Sequence, residues 1–533
     1  MRKKALAFTI SYVVALAVRL LPYLSSTLPF SVDSWPLVRN VKLLKTYTPI
    51  DLSSNIFDGY NNYWPGCIIA GTVYSIIAGG ETISSMSVLH PLASSIAVMV
   101  FYFIVYKISR SHAAAFISSL YLALIYPYTI MMAGVVKESY ASPLLMTLLY
   151  FSIAEENWLG FAITGAALVI THHLTTAIAI TILSVNALAS SFEASKDSFH
   201  ASISLALQAM FLAAGFTIHY IAFGSSGLQF NIGEEDLVSL FSHQLLFFLI
   251  FYNLLYRPKK YSKKFTIINF VIAQLLAICI SLLVISKSIL PGIPPPPIHY
   301  LIYETPYLLA SPFLVLAYAG YLEKKWRQIS RLFFWLSAVI GILSFAVFSG
   351  TYMGSTLAYR TVCFLAPPFA ALFATGICWT WKKVYKYRIA RIWLCSITIA
   401  VLALSLYTFN ACIFKGERFL GSFWLYKQGE YALGEWLWSL IGNLSVAGDV
   451  KTAYLLKGLY GVEVDTARGY DFLKNKKGVE ILVASECWSR LGYFIGPYGL
   501  EMPNGWREKL SSINKIYSNG FTEVFKGKRG NQG

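Results

Sequence analysis

The chain is short of charge. Of its 533 residues only 13% are Asp, Glu, Lys or Arg while 56% are hydrophobic, and the mean hydropathy is +0.57. Soluble domains carry about 25% charged residues, so about half the usual charge is missing and an ordinary soluble globule is excluded. Negative charge is scarcer still, with 26 acidic against 43 basic residues and a net charge of +17. That excess would suit nucleic acid if it formed one patch. It lies instead in short clusters between apolar runs, which excludes a nucleic-acid partner. Cysteine is sparse and scattered: Cys67, Cys279, Cys363, Cys378, Cys395, Cys412 and Cys487 each stand alone. No CxxC or other metal-ligand spacing appears, which speaks against disulfides and structural zinc. No internal repeat stands out, and no nucleotide-binding Rossmann domain is visible.

What is present is a succession of apolar runs of about 16–25 residues, the length that crosses a hydrocarbon core. They fall at about 5–24, 88–106, 112–131, 138–154, 158–171, 174–191, 199–222, 238–255, 265–286, 306–322, 332–350, 359–381 and 392–412. The first follows Arg2-Lys3-Lys4, contains Arg19 and lacks a small-residue cleavage site, so it reads as a retained anchor and not a signal peptide. With the N-terminus in the cytoplasm, the loops between runs hold 20 basic residues inside and five outside. This asymmetry predicts a multi-pass cell-membrane protein of about thirteen spanning helices with its C-terminal part external. Residues 63–79 are apolar enough to span, but counting them would put Arg257, Lys259 and Lys260 outside. They are therefore expected to lie in or dip into the outer interface, within a first external loop of about 25–87.

Acids concentrate in the predicted outer loops: Asp33, Asp51, Asp58, Glu81, Glu138, Glu234, Glu235, Asp236 and Glu304. Within the spans, Glu138 at the outer edge of its run apart, only Arg19 and Arg360 are charged, and a charge there marks a partner or a site by default. The expected division is a transmembrane domain over 1–412 and an external soluble domain over 413–533. The latter has a soluble charge balance, a helix over 428–441 and strands near 444–449 and 479–484. Asn443-Leu-Ser445 fits the N-glycosylation acceptor pattern. Pro294–Pro297 stiffens an outer loop at about 287–305.

Several residues could carry chemistry. Asp33, beside the end of the first span, could hold a metal or orient an acceptor hydroxyl, or simply cap the helix beginning near Ser34. Lys137-Glu138 opens the fourth span: Glu138 could bind a metal or acceptor and Lys137 a phosphate, or the two could pair. His172 and His173 sit in a hairpin. Adjacent histidines do not share a helix face, so a single-metal pair is weak, and exposed loop histidines compete with a phosphate-contacting role. Arg360 could snorkel to headgroups or clamp a lipid-carrier phosphate through its planar fork. Glu304, in Ile302-Tyr-Glu-Thr-Pro306, reads as a mobile-loop acid.

Taken together, these residues resemble the catalytic subunit of oligosaccharyltransferase, of the prokaryotic and archaeal type, among the C-type (GT-C) membrane glycosyltransferases. Asp33-x-Trp35-x-x-x-Arg39-x-x-x-Leu43 resembles that family's first acidic motif. Phe57-Asp58, Tyr63-Trp64-Pro65, Lys107-Ile-Ser-Arg110 and Ala133-Gly134 follow in order. Thr171-His172-His173 stands where the family has a Trp-Gly-Gly turn, Glu304 near its external-loop glutamate, and Arg360 with Pro367 at its lipid-phosphate arginine. Two positions depart. Lys137 stands where the second motif has its first acid, and Val446-Ala-Gly-Asp449 stands where a Trp-Trp-Asp acceptor signature belongs.

The resemblance implies an inverting glycosyltransferase working at the outer face. Its donor would be a polyprenyl-phosphate or -pyrophosphate sugar, with no nucleotide cofactor, and its acceptor a protein, lipid or glycan. Asp33 and Glu138 would be catalytic and would hold Mg2+ or Mn2+. Arg360, Lys137, His172 and His173 would contact the donor phosphate, and Glu304 would ride on a lid. A protein N-oligosaccharyltransferase with an altered acceptor site is one alternative. A transporter or flippase is another, and would show central polar residues and repeats.

Overall fold

The computed structural model describes residues 2–46, 59–193, 196–227, 233–257, 262–286, 295–324, 327–417, 420–421, 424–440, 444–495 and 498–527. Asp51, Phe57, Asp58, Lys287, Pro294 and Asn443 lie outside the described residues. The apolar runs fold as helices: α1 (Arg2–Ser26), α2 (Ser34–Thr46), α3 (Gly66–Ile77), α4 (Thr82–Ser109), α5 (His112–Leu124), α6 (Tyr128–Ala133), α7 (Lys137–Leu149), α8 (Trp158–Thr171), α9 (His173–Ser191), α10 (Lys196–Ala222), α11 (Glu234–Tyr256), α12 (Lys263–Ser286), α13 (Leu301–Ala310), α14 (Pro312–Lys324), α15 (Arg327–Phe348), α16 (Tyr352–Val384) and α17 (Arg388–Asn410).

Among the described residues, ten helical stretches are long and apolar enough to cross a membrane, and three of the expected runs differ from that pattern. Run 112–131 breaks after Leu124 and resumes at Tyr128, because Pro127 donates no hydrogen bond and disfavours helix before it. Run 138–154 is α7 followed by a π turn over Tyr150–Ala154, and run 158–171 is the 14-residue α8. The apolar stretch 63–79 yields only the 12-residue α3, about 18 Å long and too short to cross. One face of α3 packs Cys67, Ile68 and Gly71 inward, while Val73, Ile76 and Ile77 are exposed. At the periphery α11 and α12 leave Val238, Phe241, Leu275 and Leu276 uncovered, as helices facing lipid do. The chain is a multi-pass membrane protein.

One end of the bundle is capped by an α/β unit. Helix α18 (Gln428–Leu440) leads to β1 (Val446–Ala447), α19 (Val450–Leu455), β2 (Val464–Asp465), α20 (Thr466–Leu473) and β3 (Ile481–Ser485). Then follow α21 (Trp488–Leu491), β4 (Tyr493–Ile495), β5 (Tyr498–Leu500), α22 (Trp506–Ser511), β6 (Asn514–Ser518) and β7 (Thr522–Lys526). The five-stranded sheet has order β2-β1-β3-β7-β6, with β1 parallel to β2 and β3, and β7 antiparallel to β3 and β6. Helical crossovers supply the parallel pairs, as geometry requires. Every residue of β3 is buried.

The cap seats on α2. Trp35 is fully buried, edge-on to Tyr426 at 5.1 Å and stacked on Tyr431 at 5.9 Å. Gly458, in a π turn over Leu456–Tyr460, meets the same surface. A Cβ there would lie 2.8 Å from Pro36 Cδ and 3.0 Å from Trp35 Cβ, so only glycine allows this approach. Asp33, one residue before α2, is thereby placed under the cap.

Candidate functional site

Two links at the capped end are tied to each other. The turn from α1 to α2 puts Ser31 at φ 101, a conformation costly for a residue with a Cβ. It is held by Ser31 N–H donating to the Trp424 carbonyl (3.0 Å) and by the Ser34 hydroxyl donating to the Ser31 carbonyl (2.6 Å). The second link, Gly134–Val136, precedes α7. Its Val135 N–H donates to the Phe30 carbonyl at 2.8 Å, and the Ser139 hydroxyl reaches the Gly134 and Val136 carbonyls, each at 2.8 Å. A Cβ on Gly134 would come within 3.3 Å of Ser31 Cβ and of the Met131 carbonyl oxygen, a tight contact that glycine avoids. These ties carry Asp33 to the first turn of α7.

That turn holds Lys137 and Glu138, exposed by only 3% and 7%. Arg360 comes from the first half of α16 and places Nη1 3.3 Å from Glu138 Oε1 while staying partly open. His172, the N-cap of α9, brings Nε2 to 3.5 Å from the same oxygen. Its Nδ1 accepts from the Thr175 N–H at 3.4 Å and lies 2.7 Å from the Thr175 hydroxyl. The proton therefore sits on Nε2, directed at Glu138. Burial pushes His172 down to about 4, against the pull of Glu138 in the other direction, so the ring is neutral near pH 7. His173 turns the other way, against Trp64 at 5.2 Å and His172 at 5.0 Å.

Asp33 faces Arg360, Glu138 and Lys137. Burial is the largest influence on its carboxyl and holds it above the usual range; Glu138 adds to that, while Arg360 and Lys137 oppose it. A carboxylate with a raised pKa is suited to accept a proton. The structure thus brings together Asp33, Lys137, Glu138, His172 and Arg360, with His173 at the margin. It does not bring Glu304 to them. Glu304 sits in the first turn of α13, so residues 301–305 of the expected loop are helical, and it faces Tyr126 and Tyr307 instead. Arg19 is fully buried with its guanidinium 5.5 Å from the Tyr128 ring centre.

The cap adds a residue that sequence reasoning missed. Tyr454 of α19 faces Asp33 and Arg360, and the Asp33 charge, ahead of burial, pushes its phenol up to about 12. As one of 35 tyrosines it carries no motif. Asp449, at the place of the missing acceptor signature, is not free to recognise anything. One oxygen caps α19 by accepting from Thr452 N–H (2.9 Å), and the other accepts from Trp488 Nε1–H (2.7 Å). A second unforeseen feature is a buried chain beneath Lys137. Cys67 Sγ lies 3.5 Å from His90 Nε2, and His90 Nδ1 lies 2.7 Å from the Ser139 hydroxyl.

A divalent metal at Asp33 and Glu138 fits these residues poorly. Among the described residues no three His, Cys, Asp or Glu side chains form a group able to hold one. Glu138 Oε1 already faces Arg360 and His172, and both carboxylates face Lys137. Hard divalent cations favour several oxygen ligands, which this shell does not offer.

No protein-family model matches the chain, and no curated protein matches its sequence. Solved structures match its fold. The oligosaccharyltransferase of Archaeoglobus fulgidus in its apo form gives a TM-score of 0.56 at 11% identity, over 99% of this chain and 75% of that one. The archaeal oligosaccharyltransferase AglB of Archaeoglobus fulgidus, in complex with an inhibitory peptide and a dolichol-phosphate, gives 0.54 at 10% identity, over 91% and 70%. A complex of the Archaeoglobus fulgidus enzyme with Zn and sulfate gives 0.51 at 10% identity, over 90% and 68%. The chain shares its fold with these oligosaccharyltransferase structures, as the ordered motifs led one to expect.

Proposed function

We propose that this chain is a membrane glycosyltransferase that takes its sugar from a polyprenyl-phosphate or -pyrophosphate carrier at the outer membrane face. The observation that carries the reading is the meeting of Asp33, Lys137, Glu138, His172 and Arg360 at the capped end of an otherwise apolar bundle. The excess of basic residues in the loops assigned to the cytoplasmic side supports an external position for the cap and the site. A structure of similar fold was solved with a dolichol-phosphate, and two cations at a membrane edge suit such a headgroup.

The chemistry follows from the residues. An acceptor O–H or N–H beside Asp33 gives its proton to the carboxylate as its heteroatom bonds to the anomeric carbon. The bond from that carbon to the phosphate oxygen breaks, and its electron pair leaves with the carrier phosphate. A single displacement of this kind inverts the anomeric centre. Arg360 and Lys137 stabilise the charge growing on the phosphate, and donors preorganised toward such charge are worth several kcal/mol, on the order of 10²–10³ in rate. Glu138 holds Arg360 in place, steadied itself by neutral His172. Tyr454 closes the acceptor side.

The fold alone favours a second reading, protein N-oligosaccharyltransferase, since AglB shares it. The commitment of Asp449 to Thr452 and Trp488 weighs for a different acceptor. A transporter is disfavoured because the polar groups gather at one end instead of midway. Protein in nanodiscs, given radiolabelled sugars on polyprenyl carriers and a membrane extract as acceptor source, tests the proposal. Label leaving its polyprenyl carrier for any other molecule, protein, glycan or lipid, supports it; label remaining on every carrier counts against it.

A further inference from the structure

The charge pattern around Glu138 departs from that of a metal site most sharply at the residue before it, which is a lysine. Lys137 is almost fully buried in the first turn of α7. Its backbone is fixed there by the Val135–Phe30 hydrogen bond and by Ser139, which receives no help from solvent at full burial. The charged groups facing it are the carboxylates of Asp33 and Glu138, with the Cys67 thiol beside them. Burial lowers the Lys137 ammonium to about 7, while Cys67, Glu138 and Asp33 pull it back up, so these neighbours keep part of its charge near neutral pH. Arg360 answers one of them, at 3.3 Å from Glu138. A divalent ion placed at these acids would meet both Lys137 and Arg360 as like charges.

We infer that Lys137 supplies from within the chain the positive charge that a divalent cation would bring to Asp33 and Glu138, so that transfer here runs without metal. The inference rests on the transferase reading for its chemistry. In the displacement described above, the Lys137 ammonium offsets the two carboxylates and donates to the departing phosphate oxygen. No bond to the ammonium nitrogen is made or broken.

The test measures Mn2+ binding by electron paramagnetic resonance on the full chain in nanodiscs, with no donor present, beside donor turnover in excess EDTA and in Mn2+. Wild type is expected to leave the free Mn2+ signal intact up to about 1 mM, the upper end for weak carboxylate sites, and to turn over equally in EDTA and Mn2+. Lys137→Asp is expected to gain at least about tenfold in Mn2+ affinity through its added carboxylate and to need Mn2+ for turnover. Lys137→Gln is expected to lose turnover in both conditions. Depletion of Mn2+ by wild type that Asp33→Asn abolishes, or loss of wild-type turnover in EDTA, overturns the inference. So does a Lys137→Gln protein as active as wild type. If Lys137→Asp does not fold, wild type and Lys137→Gln still decide. If wild type turns over no donor in either condition, the transferase reading fails, and the donor-free Mn2+ measurement still tests the lysine.

Discussion

Gly458→Ala should uncouple the cap from the site. The new Cβ would stand 2.8 Å from Pro36 Cδ and 3.0 Å from both Pro36 N and Trp35 Cβ. Carbon atoms rest at about 3.5–4.0 Å, so the overlap is roughly 0.7 Å against a rigid ring and a backbone atom. Neither can rotate away, so the turn over Leu456–Tyr460 must lift from α2. Tyr454 precedes that turn, and Asp33 precedes α2, so lifting one from the other separates the two groups across the site. Overpacking of this kind costs about 1–3 kcal/mol of stability. A displacement near 1 Å at a reacting centre costs on the order of 10²-fold in rate. Turnover of a lipid-linked sugar and a thermal melt, run on Gly458→Ala and on Gly215→Ala, provide the assay. Gly215 is the control, because a Cβ there meets only Val169 at 4.0 Å. Wild-type turnover by Gly458→Ala would refute the idea that the cap completes the site.

Other outcomes follow from the same geometry. Because Asp33 must be deprotonated to accept a proton and burial raises its pKa, activity should rise with pH through an acid limb lying above the ordinary carboxylate range; a limb at or below that range would remove Asp33 as the base. Arg360→Lys should recover only a small part of the activity lost in Arg360→Ala, since an ammonium lacks the planar fork that spans a phosphate, and a kcat comparison of the two checks this. Asp449→Ala removes the cap of α19 and strands Trp488 Nε1, so the C-terminal unit should lose about 2–4 kcal/mol, read by its unfolding or by limited proteolysis.

The bundle was legible because lipid imposes length and polarity on every run. The misreadings came where the backbone departs from a plain helix. Pro127 splits the run at 112–131, and helix begins at Leu301 ahead of the expected span, drawing Glu304 out of its loop. Asp33, Lys137, Glu138 and Arg360 stood out in the sequence because charge at a membrane edge is rare enough to notice, and His172 because it lies in a paired-histidine hairpin. Their mutual arrangement was not, since it depends on Ser31 and Gly134 bringing two distant links together. Tyr454 was invisible for a different reason. An aromatic residue in a soluble unit looks like core until the packing of Gly458 on Pro36 shows which way α19 faces. Asp449 misled in the opposite sense: its position matched a signature, while its bonds to Thr452 and Trp488 show a structural cap.

The most direct measurement is release of carrier phosphate by purified protein in nanodiscs, supplied with polyprenyl-linked sugars, for wild type, Asp33→Ala and Arg360→Ala. The account predicts release by wild type and its loss in both variants while their melts stay close to wild type. Release that persists in either variant, or no release from any donor by a folded wild type, would contradict it.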